Sequence, residues 1–146
     1  MANSLNTAVA GVETALALIT TDGGYNYDIG NSEFFGAEPV VSGSNPVVYI
    51  ISASDETTRY SSSKLYKIVT VRLRGITPGL QNRSLREAVA KLDADIETAM
   101  YSDMTLGGAV TTLRKTSTTW EAVRETNHAA LEVTFELDLH YTEGTP

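Results

Sequence analysis

A chain of 146 residues with 42% hydrophobic and 20% charged content is long enough to bury one core, and no break in composition divides it into two domains. Its net charge of −7 argues against a general DNA-coating role, which needs a basic surface, and leaves room only for a local basic patch. The lack of cysteine excludes disulfides and thiolate metal sites and fits an intracellular origin. No apolar run approaches the roughly 20 residues of a membrane helix, and no basic N-terminal segment leads into a hydrophobic one, so neither membrane anchoring nor export is expected.

Leu5, Val9, Val12, Leu16 and Ile19 recur at steps of four and three, with Ala8 and Ala15 beside them, and predict an amphipathic helix over Ser4 to Thr20. Ser4 is its expected N-cap, and Gly23-Gly24 releases the chain into a turn. The polar side lacks lysine and arginine, which favours a packing helix over a membrane-surface one. Tyr25, Tyr27 and Ile29 alternate and predict a short strand, followed by a long loop at 30–46 rich in glycine, proline and asparagine. Phe34 and Phe35 sit within this loop. They are read equally as a partner surface or as a satellite of the core.

Val47 to Ala53 is a continuous apolar run, expected to be a strand covered on both faces near the sheet centre. Asp55 to Ser63 is polar and reads as a hairpin tip, after which Leu65 to Ile76 resumes as a strand. There Leu65, Val69, Val71 and Leu73 share one face while Thr70, Arg72 and Arg74 make the other basic. Lys67 has the core parity, which predicts a bulge or covered edge near Tyr66-Lys67. Ser84 and Glu87 form a capping box ahead of a second helix carrying Leu85, Val89, Leu92, Ile96, Ala99 and Met100. Val110 to Lys115 reads as a short strand and Thr116 to Asn127 as a polar connection.

The last segment is the most regular. Leu131, Val133, Phe135, Leu137, Leu139 and Tyr141 alternate with Glu132, Thr134, Glu136, Asp138, His140 and Thr142, so a half-buried strand runs from Ala129 to Thr142. A slip of one residue would bury three carboxylates and a histidine, so its register is strongly specified. Its acidic outer face matches the basic face of the Leu65–Ile76 strand and predicts that the two are antiparallel neighbours. The element order gives an α+β fold: a single mixed or antiparallel β-sheet with two amphipathic helices on one face.

Chemistry is sparse. No nucleophile elbow, P-loop, dinucleotide fingerprint or zinc-protease motif is present, and Ser84 and Ser102 have no base partner in sequence. His128 and His140, twelve residues apart, read as exposed strand histidines. Asp93, Asp95 and Glu97 form the one carboxylate cluster; Asp93 and Glu97 share a helix side as a weak cation site would require, with Asp95 pointing elsewhere. A solvated helix face is the favoured reading. No catalytic, cofactor-binding or metal residue is assigned, no cofactor is expected, and the chain is not read as an enzyme.

An amphipathic helix ending in Asp103-Met104-Thr105-Leu106-Gly107-Gly108, a short strand, a polar stretch and a terminal alternating strand closing on Leu139-His140-Tyr141-Thr142 resembles the tail terminator family of long-tailed bacteriophages. These are also called tail completion or minor tail proteins. The resemblance covers roughly Leu65 to the C-terminus, and the matching motif residues are Asp103, Thr105, Leu106, Gly107 and Gly108. It implies a structural virion protein that caps the tail tube as a homo-hexameric ring, stops tube polymerisation and offers a surface for head-tail joining. The implied partners are further copies of the chain, the tail tube protein and a head-tail connector or neck protein, with DNA passing through the lumen without specific binding. The resemblance implies no membrane partner. The implied location is the head-proximal end of the virion tail, reached from the host cytoplasm during assembly. In the motif, Asp103 and Thr105 are expected to satisfy backbone groups around a turn, and the glycines to allow positive φ. Phe34, Phe35, Asp55, Glu56, Arg59 and Tyr60 are the candidate ring and tube contacts. If the acidic residues lined a lumen, like-charge repulsion would keep DNA from sticking. The alternatives are a neck or head-completion protein of the same particle and, ranked lower, a small metal-dependent hydrolase using Asp93, Glu97 and a histidine.

Overall fold

In the computed structural model, which describes residues 4–29, 34–36, 45–59, 64–79, 84–123 and 127–142, the chain runs α1 (Ser4–Leu16), a 3-10 turn (Thr21–Gly23), β1 (Val47–Arg59), β2 (Lys64–Pro78), α2 (Leu85–Tyr101), β3 (Thr112–Val123) and β4 (His128–Thr142). The four strands form one antiparallel sheet in the order β1-β2-β4-β3, and both helices pack on the same face of it. This is the α+β architecture that the pattern predicts.

β4 lies inside the sheet, between β2 and β3. Its alternation places Leu131, Val133, Phe135, Leu137 and Leu139 in the core beneath the helices, where each large side chain contributes roughly 1.5–3 kcal/mol before ordering entropy is subtracted. β2 supplies Val69, Val71 and Leu73 to the same layer. On the outer face the expected charge match is present. Arg72 Nη2 and Arg74 Nη1 reach the Glu132 carboxylate at 3.3 and 3.4 Å, and Arg114 Nη2 of β3 donates to Glu136 Oε1 at 2.6 Å. These pairs are partly exposed, so each is worth tenths of a kcal/mol and serves register more than stability.

α2 begins at the Ser84 cap, whose Oγ accepts from Glu87 N at 3.1 Å, and buries Ala88, Val89, Leu92, Asp95, Ile96, Ala99 and Met100. It comes close to the sheet because β2 has a glycine beneath it: a Cβ on Gly75 would lie 2.9 Å from Leu92 Cδ2. α1 stops at Leu16, short of the predicted Thr20. Leu18 N and Ile19 N donate to the carbonyls three residues back, and the β-branched run Ile19-Thr20-Thr21 gives the helix little reason to continue. Ile19 is still buried, so the apolar spacing outlasts the backbone that it predicts. The expected Ser4 cap involves a side chain outside the described residues.

Four expectations need correction. Residues 25–29 form no strand: Tyr27 is buried because its side chain packs on α2, with its hydroxyl donating to Ala88 O at 3.1 Å. β1 is an edge strand, not a central one. Its apolar run is nonetheless covered, since Phe35 forms a parallel bridge with Ile50, and Ile50 N donates to Phe34 O. The irregularity expected near Tyr66-Lys67 lies instead in β1, between Ile50 and Ser52. Lys67 occupies an inner-face position by pairing with Asp55 at 3.3 Å, which neutralises both charges near the hairpin end. Finally, the described parts of the two polar stretches, 55–59 and 116–123, are strand, and residues 60–63 and 124–126 lie outside the described residues. β1 runs on to Arg59 opposite Leu65, and β3 runs from Thr112 through Val123, because an edge strand with solvent at its side has no need of apolar alternation.

Candidate functional site

The Asp103–Gly108 segment closes α2 and leads the chain toward β3. Leu106, Gly107 and Gly108 adopt φ of 49°, 73° and 91°, three left-handed residues in succession, and only the first carries a Cβ. The side chains ahead of them hold this shape. Asp103 Oδ1 accepts from Thr105 N at 3.0 Å and Thr105 Oγ1 at 2.8 Å, Asp103 Oδ2 accepts from Gly107 N at 2.8 Å, and Thr105 Oγ1 accepts from Gly108 N at 3.3 Å. The Thr105 hydroxyl, then the Thr105 and Gly107 amides, hold the Asp103 carboxyl below its ordinary value. Both carboxylate oxygens and the hydroxyl are thus engaged within the turn. Leu106 offsets its strained φ by burial against Gly11 of α1, where an added Cβ would stand 3.0 Å from Leu106 Cβ. A shallow cavity of about 370 Å³ lies beside this contact, lined by Gly11, Thr14, Leu18, Ser102, Asp103 and Gly107.

The acidic side of α2 is divided between two roles. Lys115 Nζ of β3 lies 3.0 Å from Asp93 Oδ1 and 3.5 Å from Glu97 Oε2, and Trp120 Nε1 donates to Asp93 Oδ2 at 3.2 Å. The position between Asp93 and Glu97 that a cation would take is therefore filled by the ammonium of Lys115. Asp95 points away from these two, as its place between Leu92 and Ala99 in the apolar spacing dictates. Its Oδ1 accepts from Asn26 N at 2.9 Å and Asn26 Nδ2 at 3.0 Å, and its Oδ2 accepts from Tyr27 N at 3.0 Å. Burial pushes the Asp95 carboxyl above its ordinary value, with the Asn26 and Tyr27 hydrogen bonds acting in the other direction. This buried carboxylate ties residues 26–27 to α2, a role that the sequence reading missed. The signal was available as an aspartate at a core position.

The candidate contact residues separate. Phe34 belongs to the core cluster, whereas Phe35 is 55% exposed. Phe35 and Ala53 line a groove of about 550 Å³ with Leu5, Val9 and Glu13 of α1. Glu56 is exposed on β1, and Asp55 is paired with Lys67. The side chain of Arg59 and all of Tyr60 lie outside the described residues. His128 and His140 both belong to β4, twelve residues apart, which on an extended strand is about 40 Å. Among the described residues no group of three or more histidine, aspartate or glutamate side chains could hold a metal ion, and no helix is long and apolar enough to cross a membrane.

No protein-family profile and no curated protein matches the chain. Among solved structures, a chain of the "Virion of native gene transfer agent (GTA) particle" aligns over 90% of this chain and 93% of its own, with 11% identity and a TM-score of 0.49.

Proposed function

We propose that the chain is a structural subunit of a tailed-phage-like virion, specifically a tail terminator that forms a sixfold ring on the tail tube, stops its growth and presents a joining surface to the head. The observation that carries this reading is the Asp103–Gly108 turn. It is the most specific part of the sequence resemblance, it spends its polar groups on its own backbone, and it docks through Leu106 on α1. A loop built this way is a rigid connector and not a ligand cradle. The turn follows a helix, α2, and precedes a strand, β3, and the terminal strand, β4, which is the order of helix, short strand and terminal strand in the resemblance.

The fold is suited to cyclic assembly. A ring requires two different, mutually complementary surfaces on each subunit, and an open four-stranded sheet has two unlike lateral edges, β1 and β3. The hydrolase reading has lost its cation position to Lys115. The neck or head-completion reading remains the rival within the same particle. Light scattering on a sizing column and negative-stain imaging, with and without purified tail tubes, separate the two. Six-membered rings, or density at one end of the tubes, support termination. A protein that ignores tubes but binds the head connector favours the neck.

A further inference from the structure

The edge strand β1 is occupied over only part of its length. At Ile50 the chain lays a strand of its own against it: Phe35 bridges Ile50 in parallel sense, and Ile50 N donates to Phe34 O. Val48 and Tyr49 beside this bridge are engaged as well. From Ser52 to Thr57 the strand pairs with β2 on one side, and among the described residues no further hydrogen bond reaches its other side. An unpaired edge of this kind is a template for another extended chain.

The groove of about 550 Å³ between α1 and β1 starts at Phe35 and reaches Ala53, so it runs beside the open part of the edge. Leu5, Val9 and Phe35 make its walls apolar. Among its described lining residues the one charge is Glu13 of α1, half-buried and met by no hydrogen bond or ion pair among the described residues. A carboxylate partly withdrawn from water and given no donor is costly until a cation reaches it. Glu56, exposed on the other face of β1, is also without an ion-pair partner among the described residues, whereas Asp55 is neutralised by Lys67.

We propose that β1 receives an extended segment of a partner protein as an added strand along Ser52–Thr57, with an apolar side chain in the groove and lysine or arginine meeting Glu13 and Glu56. Backbone hydrogen bonds to the edge supply affinity that is indifferent to sequence, and side chains alternating between the two sides of the strand select the partner. The two carboxylates, one on each side, set the sign of the partner's charge. A second copy of this chain is a poor match, because its net charge is −7 and the three arginines of its outer sheet face already meet Glu132 and Glu136. The proposal requires neither a ring nor a tail tube.

The probe is a blocked synthetic peptide, Thr-Leu-Lys-Lys-Thr-Val-Thr, whose alternation puts leucine and one lysine on the groove side and the other lysine on the Glu56 side. Its controls replace both lysines by glutamate, or carry N-methyl groups at alternate residues in one of the two phases. Titration of labelled peptide with the full chain, read by fluorescence anisotropy, should show binding by the lysine peptide and none by the glutamate one. One N-methyl phase should bind and the other should not, because an added strand turns only alternate amides toward its neighbour. Glu13→Gln and Glu56→Gln should each weaken binding by up to about fivefold with circular dichroism unchanged. Hydrogen exchange at Ser52–Thr57 should slow only when the peptide is bound. No binding of the lysine peptide at about 1 mM, equal binding of the glutamate version, or equal binding of the two N-methyl phases overturns the proposal. So does protection of these amides without peptide: protection that rises with protein concentration makes a second copy the occupant, and protection independent of concentration makes it this chain itself.

Discussion

Replacing Asp95 by asparagine changes one atom and no volume, yet it reaches the part of the fold that the sequence did not reveal. The carboxylate accepts three hydrogen bonds, two on Oδ1 from Asn26 and one on Oδ2 from Tyr27 N, at 2.9 to 3.0 Å. An asparagine that keeps its oxygen toward Asn26 turns its NH2 group onto the Tyr27 amide, donor against donor. Tyr27 is buried, so its N–H loses its acceptor without gaining water. An unsatisfied buried donor costs about 1–3 kcal/mol, and the two remaining bonds weaken from charge-assisted to neutral. Relief of the desolvated charge returns part of this, leaving a net loss of about 2–3 kcal/mol. For a domain of this size that corresponds to a fall in Tm of roughly 4–12 °C. Urea unfolding of the two proteins at pH 7, followed by circular dichroism, measures the difference. The pH dependence adds a second arm. Because the folded carboxyl sits above its ordinary 3.8, the folded state holds its proton more tightly than the unfolded chain. The contribution of Asp95 is thus greatest below the unfolded value and declines as pH rises through the folded one. The gap between wild type and Asp95→Asn should widen on acidification across that window. A variant within about 0.5 kcal/mol of wild type at neutral pH would falsify the staple.

Asp103 has the opposite sign: its carboxyl is held below 3.8, so its contribution is present above the unfolded value and lost as pH falls through the folded one. Amide exchange at Gly107 and Gly108 should accelerate in Asp103→Asn at neutral pH, and the difference from wild type should vanish in acid; a constant difference would rule out the carboxylate as the cause. Gly11→Ala improves helix propensity by up to about 1 kcal/mol but forces its methyl to 3.0 Å from Leu106 Cβ and 3.2 Å from Leu106 O, so denaturation should show a net loss of stability. Lys115→Met leaves Asp93 and Glu97 without their common cation and should lower stability by about 1–2 kcal/mol at low salt, less at high salt; calcium titration of the wild type by calorimetry should show no heat of binding at this position.

Much of the fold was legible because local spacing carried it. The alternation of β4, the Ser84 cap and the apolar stripe of α2 each depend on residues within a few positions of one another, and their physics acts at that range. The basic and acidic faces of β2 and β4 announced their pairing for the same reason, since each strand carries its whole charge pattern by itself. Edge strands were less legible. The polar Thr116–Val123 run looks like a loop because one side of an edge strand meets water, and burial is what writes alternation into a sequence.

The sequence by itself determined the α+β class, the two packing helices, the register of the central strand and a turn motif whose residue types suit left-handed backbone. Tertiary structure alone decided three other matters: that β1 stands at an edge, that Lys115 fills the gap between Asp93 and Glu97, and that Asp95 ties residues 26–27 to α2. The last two join groups between 18 and 69 residues apart in the chain, and the first depends on how whole strands pair. No local pattern encodes such a meeting, because the contact exists only once the sheet and helices have brought the partners together.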